Sequence, residues 1–271
     1  MSCIDDAPLG KESQYPSQYD ASLLFPIARS QGRDLLGIHQ VLPFSGVDNW
    51  TAYEISWLDK NGKPKVAIGY FSFPCDSPNL VESKSFKLYL NSFNLSRFDS
   101  QNDIEQLMVT DLSAICGAQV KLNLLPLDNA VHVVTPWPHE SIDQQPLLTL
   151  AKEPDVNLLE VGDAQVSAKL QTHLFRSLCP VTAQPDWASI RIEYHGLEIN
   201  KASLLTYLVS YRQHQGFHEQ CVEQMFQDLA HVTQADSLLV GARFLRRGGL
   251  DINPVRMKGV FDVNEGRLSR Q

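Results

Sequence analysis

The stretch that decides the fold is Val81-Glu82-Ser83-Lys84-Ser85-Phe86-Lys87-Leu88-Tyr89-Leu90-Asn91-Ser92-Phe93. Its apolar residues Phe86, Leu90 and Phe93 recur at the spacing of one face of an α-helix. A similar pattern returns near Tyr207 in the second half of the chain. The sequence therefore predicts two related helices, one in each half.

The composition is typical of a globular protein. The chain has 271 residues, of which 43% are hydrophobic and 20% are charged, and this length favours about two domains. The net charge of −8 argues against a nucleic-acid partner, because phosphate neutralisation needs clustered lysine and arginine. An enzyme with a small substrate fits the charge better.

The cysteines are scattered, with no CxxC pair, at Cys3, Cys75, Cys116, Cys179 and Cys221. This spacing is not that of a disulfide framework, which favours the reduced cytosol. The first thirty residues show no signal peptide, and no run approaches the ~20 apolar residues that cross a bilayer. We therefore expect a cytoplasmic protein that does not contact a membrane.

Both halves predict the order strand, strand, helix, helix, strand. In the first half, residues 41–49 are typical of a loop, and alternation at 53–58 and 66–73 predicts two strands joined by an Asn61-Gly62 turn. Two helices and a strand at 120–124 follow. In the second half, strands are predicted at 165–178, 188–194 and 238–244, and a helix is capped by Asn200.

The prolines between residues 126 and 156 indicate a domain boundary. We assign residues 1–20 to a flexible arm and 21–130 to an N-terminal module. A linker is expected over 131–160, and a C-terminal module over 161–271.

A shift of 118 residues aligns the two halves. Identical positions under this shift include Tyr89 with Tyr207, Leu90 with Leu208, Ser92 with Ser210, Glu105 with Glu223, and Gln106 with Gln224. Duplication explains these matches, and the alternative is a chance likeness between amphipathic helices. The Ser83-Lys84 pair and the His218-Glu219 pair each occur in one copy only. Each half therefore carries a different part of one candidate site.

Cys179 is a candidate nucleophile at the end of a predicted strand. Pro180 ends the strand and leaves the thiol at its edge. Asp186 precedes the next strand, where a hairpin would bring it near the thiol as a proton donor. The alternative is an inert buried cysteine.

Three other groups are candidates for binding. Phe217-His218-Glu219 can stack on a purine-like base and accept hydrogen bonds from it, unless it is only a helix start. Glu82-Ser83-Lys84 places an acid, a hydroxyl and a base within one turn, or is only a solvated helix start. Arg246-Arg247-Gly248-Gly249 can meet a phosphate, or is a basic hairpin tip. The sequence contains no glycine-loop nucleotide motif.

These residues resemble the QueF family, the NADPH-dependent 7-cyano-7-deazaguanine reductases. The resemblance is carried by segments that run across nearly the whole chain: Leu42-Pro43-Phe44-Ser45-Gly46, Glu82-Ser83-Lys84-Ser85-Phe86-Lys87-Leu88-Tyr89, Cys179-Pro180 with Asp186, Phe217-His218-Glu219, and Arg246-Arg247-Gly248-Gly249-Leu250-Asp251-Ile252-Asn253-Pro254. It implies an α+β tunnelling fold (T-fold) in tandem modules, each an antiparallel sheet with a pair of helices on one face. It also implies a homodimer.

The resemblance implies reduction of a nitrile to an amine on the route to the queuosine base of tRNA. The implied catalytic residues are Cys179, Asp186 and His218, and no metal is implied. The implied substrate-binding residues are Val81, Glu82, Ser83, Phe217, His218 and Glu219. The implied contacts with the cofactor NADPH are made by Ser83, Lys84, Arg247 and Gly248.

Two other functions remain open from the residues alone. A zinc-dependent cyclohydrolase acting on a purine or pterin would need three ligands. Cys179 and His218 would supply two of them, and no third is evident. A nucleobase-binding protein without activity would need neither Cys179 nor Asp186.

Overall fold

The computed structural model describes residues 15–130, 133–263 and 266–271. Contacts divide the chain into two compact units. Unit 1 comprises the described residues up to 39, residues 47–130 and residues 246–251. Unit 2 comprises residues 40–46, the described residues from 133 to 245, and those from 252 to 271. The predicted arm is described from Tyr15 onward, and its residues 1–14 and Cys3 lie outside the described residues.

Unit 1 is an antiparallel sheet with two helices. Its elements are β1 (Pro26–Ala28), α1 (Ser30–Arg33), β2 (Ser45–Leu58, shared at its start with unit 2), β3 (Pro64–Pro74), β4 (Asn79–Val81), α2 (Ser83–Ser92), α3 (Gln101–Cys116) and β5 (Lys121–Pro126). The sheet has the order β5-β3-β2, and β1 pairs with β4 in a separate antiparallel sheet. Its core includes Trp50, Phe71, Phe73 and Phe86, whose rings contact one another.

Unit 2 repeats this plan with longer strands. Its elements are β6 (Glu140–Ser141), β7 (Val161–Leu178), β8 (Pro185–Ile199), α4 (Lys201–Ser210), α5 (His218–Thr233), β9 (Ser237–Phe244) and β10 (Leu250–Lys258), the last beginning in unit 1. The order is β10-β9-β8-β7-β6, antiparallel except for the short β6 beside β7. Helix α5 packs on β8 and β9. The predicted α+β class is confirmed.

The first helix of each pair is held by the same hydrogen bonds. Glu82 caps α2 by accepting from the backbone N–H groups of Lys84 and Ser85, and Asn200 caps α4 in the same way. Ser85 and its counterpart Ser203 each donate to the backbone carbonyl of the cap residue. These shared bonds support the predicted repeat at the shift of 118.

The same serines fix the incoming chain. The Ser85 hydroxyl accepts from the backbone N–H of Phe25, whose carbonyl accepts from the N–H of Glu82. The Ser203 hydroxyl accepts from Glu160, whose carbonyl accepts from Asn200. The two helix starts are therefore equivalent in their bonding as well as in their sequence position.

The second helix of each pair departs from the predicted alignment. Helix α3 begins at Gln101 and α5 at His218, an offset of 117 rather than 118. At this offset all four buried positions of α3, namely Ile104, Met108, Leu112 and Cys116, fall on buried residues of α5, namely Cys221, Met225, Leu229 and Thr233. The link between the helices is one residue shorter in unit 2, so the constant shift was wrong there.

One further sequence expectation was wrong, and one strand was missed. Residues 45–49 belong to β2, although Gly46, Asp48 and Asn49 predicted a loop. Strand β10 was not predicted at all. Among the described residues, no helix is both long and apolar enough to cross a membrane.

Candidate active site

The hairpin of β7 and β8 presents Cys179 and Asp186 at the same end of the sheet. In this hairpin Ser177 lies opposite Asp186, and Cys179 is the first residue beyond β7. The Cys179 N–H donates to the carbonyl of Gln184 at 2.9 Å, and the Cys179 carbonyl accepts from Ala183 at 3.0 Å. The predicted hairpin thus brings the two ends together and holds Cys179 in a closed turn.

The start of α5 is tied to this hairpin end. The backbone N–H of Leu178 donates to His214, and the N–H of Gly216 donates to Leu178. The link before α5 therefore runs beside the last residue of β7. Since α5 begins two residues after Gly216, its first turn is delivered to the same end of the sheet as Cys179.

His218 and Asp186 form a buried pair. The His218 Nε2 atom lies 3.3 Å from Asp186 Oδ2, and their side chains are 14% and 7% exposed. The imidazole also stacks on the ring of Phe244, with centroids 3.7 Å apart and planes 6° apart. These contacts on two sides fix the ring orientation. A proton can therefore pass between the two side chains without rotation of the imidazole.

Phe217 and Glu219 flank His218 in the same segment. Phe217 is the N-cap residue of α5, and its phenyl ring has no acceptor that could cap the helix. Its backbone N–H donates to Gln220 Oε1. Glu219 is buried in the first turn, where the helix dipole favours a carboxylate. Unit 2 therefore brings together Cys179, Asp186 and the Phe217-His218-Glu219 segment.

Cys221 and Cys116 are fully buried. Burial raises the pKa of the Cys221 thiol to about 12 and outweighs the hydrogen bond with Ser177, which lowers it. Burial likewise raises the pKa of Cys116 to about 12. Since the thiolate is the nucleophile, both thiols are poor candidates for attack on a substrate.

Unit 1 holds the residues predicted from the helix signature. Val81 ends β4 and is buried, while Ser83 is the first residue of α2. Glu82 is 1% exposed and accepts two backbone hydrogen bonds of 2.7 Å, so it is not part of a solvated helix start. Burial raises the pKa of its carboxyl despite these hydrogen bonds.

A cavity of about 610 Å³ lies on unit 1. Its lining includes Lys84, Lys87, Gly248 and Gly249, together with Tyr15 and Tyr53. Gly248 and Gly249 have positive φ angles of 60° and 71°, so the loop after β9 makes a turn that glycine favours. The cavity thus combines two lysines, aromatic rings and exposed loop backbone.

The sequence did not predict every residue of this cavity. Lys87 follows Lys84 by one helical turn, a spacing that would have identified it. Tyr15 lay in a segment expected to be flexible, and its ring lies 5.3 Å from the Lys84 ammonium. Of the other predicted cofactor contacts, Ser83 and Arg247 do not line the cavity. Arg247 pairs with Leu250 across the turn.

The zinc alternative lacks a ligand set in the described part of the chain. No group of three or more His, Cys, Asp or Glu side chains there is arranged to hold a metal ion. Cys179 and His218 therefore have no third partner of the kind that a catalytic zinc site requires.

Comparison with known proteins gives matches over both halves of the chain. A family model described as nitrile reductase, 7-cyano-7-deazaguanine-reductase N-term, matches residues 15–124. A second model, described as QueF-like protein, matches residues 185–260.

Curated relatives match over nearly the full length. The NADPH-dependent 7-cyano-7-deazaguanine reductase of Saccharophagus degradans is 51% identical and covers 100% of both chains. Those of Burkholderia cenocepacia and Chromohalobacter salexigens are 51% and 48% identical, covering 93% and 99% of this chain and 93% and 98% of their own. A solved archaeosine synthase QueF-Like structure in the apo form has 17% identity and a TM-score of 0.32, covering 37% of this chain and 99% of that one. That score is too low to support a conclusion.

Proposed function

Because the chain belongs to the family of NADPH-dependent 7-cyano-7-deazaguanine reductases, we propose that it reduces the nitrile of 7-cyano-7-deazaguanine to an aminomethyl group. The product, 7-aminomethyl-7-deazaguanine, is a precursor of the queuosine base of tRNA. The observation that carries the residue assignment is the His218–Asp186 pair, 3.3 Å apart, at the hairpin end that also presents Cys179.

Cys179 is the proposed nucleophile. Its sulfur forms a bond to the nitrile carbon, while one π bond of the nitrile breaks and its electrons move to the nitrogen, which takes a proton. The resulting thioimide is a better hydride acceptor than the nitrile. Bound NADPH would supply the hydrides for two successive reductions, and the carbon–sulfur bond breaks between them. Cys179 is then regenerated for the next substrate.

Asp186 and His218 are the proposed proton-transfer pair. Asp186 pairs across the hairpin with Ser177, two residues before Cys179, which supports its proposed role of delivering a proton to the developing nitrogen. His218 contacts the Asp186 carboxylate and is held by the Phe244 ring. A positioned acid or base of this kind accelerates a reaction typically by about 100- to 10,000-fold.

The proposed substrate contacts use buried carboxylates. The edge of a deazaguanine carries N–H and NH2 donors, which match the acceptor oxygens of Glu82 and Glu219. Both glutamates are less than 5% exposed. A ligand that presented no donor to their oxygens would therefore bind at a cost. Val81 and Ser83 flank Glu82, and Phe217 offers an aromatic face for stacking.

The residues of the unit 1 cavity fit a dinucleotide phosphate. Lys84 and Lys87 supply positive charge, and the Tyr15 and Tyr53 rings supply flat apolar surface. A side chain at Gly249 would place its Cβ 2.4 Å from Glu54, so backbone alone occupies that position. We propose that Ser83, Lys84, Arg247 and Gly248 contact NADPH, with Lys87 and Tyr15 as further contacts.

The cellular setting is also part of the proposal. None of the four described cysteines is in a disulfide, which agrees with the reducing cytoplasm. The net charge of −8 agrees with an enzyme that acts on the free base and does not bind nucleic acid. We propose a homodimer, which light scattering of the purified chain would test.

The proposal is tested by following NADPH absorbance with 7-cyano-7-deazaguanine. We expect oxidation of two NADPH per substrate by the wild-type chain and none by Cys179→Ala. Without NADPH, the wild type should form a covalent adduct on Cys179, detected by intact mass and peptide mapping. Cys221→Ala is the matched control and should keep both behaviours.

Two results would count against the proposal. Absence of NADPH consumption by the folded wild type would contradict the activity. An adduct mapped to Cys75 or Cys221 would contradict the nucleophile while leaving the activity intact.

A further inference from the structure

Three arginine side chains of unit 2 converge on the indole ring of Trp187. The guanidinium carbons of Arg212, Arg176 and Arg270 lie 5.3, 5.5 and 5.9 Å from the ring centroid. Arg176 faces Trp187 directly across the β7–β8 ladder. Such contacts place a cation over an aromatic face. Three of them on one ring gather three positive charges in a small volume, which we call the Trp187 cluster.

Among the residues that the structure describes, no carboxylate neutralises the Trp187 cluster. Across the described residues, none of the three guanidinium groups has a carboxylate within salt-bridge distance, whereas Arg29, Arg191 and Arg256 each have one. Each guanidinium carbon lies within 5.9 Å of the Trp187 ring centroid. The distances between the three charges are therefore comparable to the Debye length of about 10 Å at 0.1 M salt. Their mutual repulsion is therefore only partly screened.

One donor in the cluster is also buried and unpaired. The Nε–H group of Arg176 has no acceptor among the described residues, although the atom is inaccessible to solvent. A buried donor without an acceptor costs about 1–3 kcal/mol. A bound oxyanion would compensate the charge through the guanidinium N–H groups that remain accessible.

The backbone around the cluster is fixed. The N–H of Leu245 donates to the Trp187 carbonyl. Arg270 donates from Nη1 to the carbonyl of His173, and Gln271 donates to Phe244 and Asn253. Arg212 lies in the turn that precedes α5. The three charges therefore converge from three anchored segments, which is the arrangement of a preorganised anion site.

We propose that the Trp187 cluster binds a phosphate-type oxyanion. Trp187 follows Asp186 in the chain, and successive side chains of a strand point to opposite faces. The anion would therefore sit next to the proton-transfer pair but on the other face of β8. Its source is either inorganic phosphate or diphosphate, or a phosphate group of the dinucleotide cofactor. The second case rests on the proposed function.

The test is calorimetric titration of the full chain with inorganic pyrophosphate at low salt. We expect binding by the wild type that weakens as salt rises. The double variant Arg176→Gln/Arg212→Gln should bind at least about tenfold more weakly, since hydrogen bonds to charged groups contribute about 1.5–3 kcal/mol each. Arg97→Gln removes one exposed arginine elsewhere and should change binding less than about twofold.

Unfolding is monitored in the same samples. Pyrophosphate should raise the melting temperature of the wild type and of Arg97→Gln, and should not raise that of the double variant. Equal binding by wild type and double variant, or no binding by the folded wild type, would overturn the site.

The source of the anion follows from the Michaelis constant for NADPH. A rise in the double variant identifies a cofactor phosphate, and an unchanged value identifies a free oxyanion. These outcomes are separate from the proposed activity, because the pyrophosphate titration requires no turnover.

Discussion

A comparison of Glu82→Ala with Asn200→Ala separates the role of Glu82 as a helix cap from its proposed role in binding substrate. Both side chains accept two backbone N–H groups at the start of equivalent ten-residue helices. Glu82 does so at 2.7 and 2.7 Å, and Asn200 at 3.0 and 3.2 Å. Glu82→Ala and Asn200→Ala therefore remove the same type of bond from matched positions.

The expected loss of stability follows from these distances. Cap removal costs about 0.5–2 kcal/mol. Glu82→Ala should lie near 2 kcal/mol at pH 4, because its two bonds are short. Asn200→Ala should lie near 1 kcal/mol, because its bonds are longer and neutral. Urea unfolding should show a lower midpoint with an unchanged slope in both variants.

The pH dependence of the Glu82 contribution has a defined sign. Burial raises the pKa of Glu82 in the folded state, so folding favours the protonated carboxyl. The corresponding stability is present below the unfolded pKa and is lost as pH rises through the folded pKa. The difference in unfolding free energy between wild type and Glu82→Ala should therefore become smaller from pH 4 to pH 7. No such trend is expected for Asn200→Ala.

Activity distinguishes the two caps. Loss of a charged acceptor for the substrate should lower kcat/KM of Glu82→Ala by about 10- to 150-fold, measured well below its melting temperature. Asn200→Ala should stay within about twofold of wild type. An equal loss in both variants would refute the substrate role of Glu82, because a loosened helix start would then explain both.

Three further predictions concern single positions. Cys221→Ser should retain adduct formation by intact mass, because burial keeps the pKa of the native thiol near 12; a lost adduct with retained fold would contradict this. Burial alone would raise the pKa of the Glu193 carboxyl. The cations around it, with Lys169 at 2.7 Å, outweigh burial, so the net effect is a lowered pKa. Glu193→Gln should therefore be less stable than wild type at pH 7, with a difference that is lost as pH falls through the folded-state pKa of Glu193; a difference independent of pH would refute it. Gly249→Ala should lower the unfolding free energy by at least about 1 kcal/mol, because φ is positive and the new Cβ would meet Glu54; an unchanged urea midpoint would argue against the close contact.

The sequence predicted the elements whose partners are near in the chain. Both helix pairs and the β7–β8 hairpin follow from local periodicity, capping residues and turn residues. The hairpin alone placed Asp186 opposite the end of β7. That much of the candidate site was therefore predictable from spacing.

The remaining features depend on partners distant in sequence. Strand β10 buries Asp251, Asn253 and Arg256, which breaks the expected apolar alternation. Asp251 accepts from Tyr53, and Arg256 donates to Glu223. Such polar residues are stable inside the protein only because these partners satisfy them. The local pattern contains no sign of either partner.

The Trp187 cluster was missed for the same reason. Its three arginines come from β7, from the turn before α5 and from the chain end, separated by up to 94 positions. No spacing rule connects them. The unit 1 cavity was predicted in part, through Lys84 and Gly248, but Tyr15 was placed in a flexible arm.

The paired serines at the helix starts have a consequence for protein engineering. Ser85 and Ser203 fasten their helices through bonds that involve none of the residues assigned to chemistry, apart from the main chain of the caps. Anchoring and reactivity are thus encoded at separate positions. The substitution Asn200→Glu should therefore place a carboxylate at the start of α4 while the Ser203 hydrogen bonds remain.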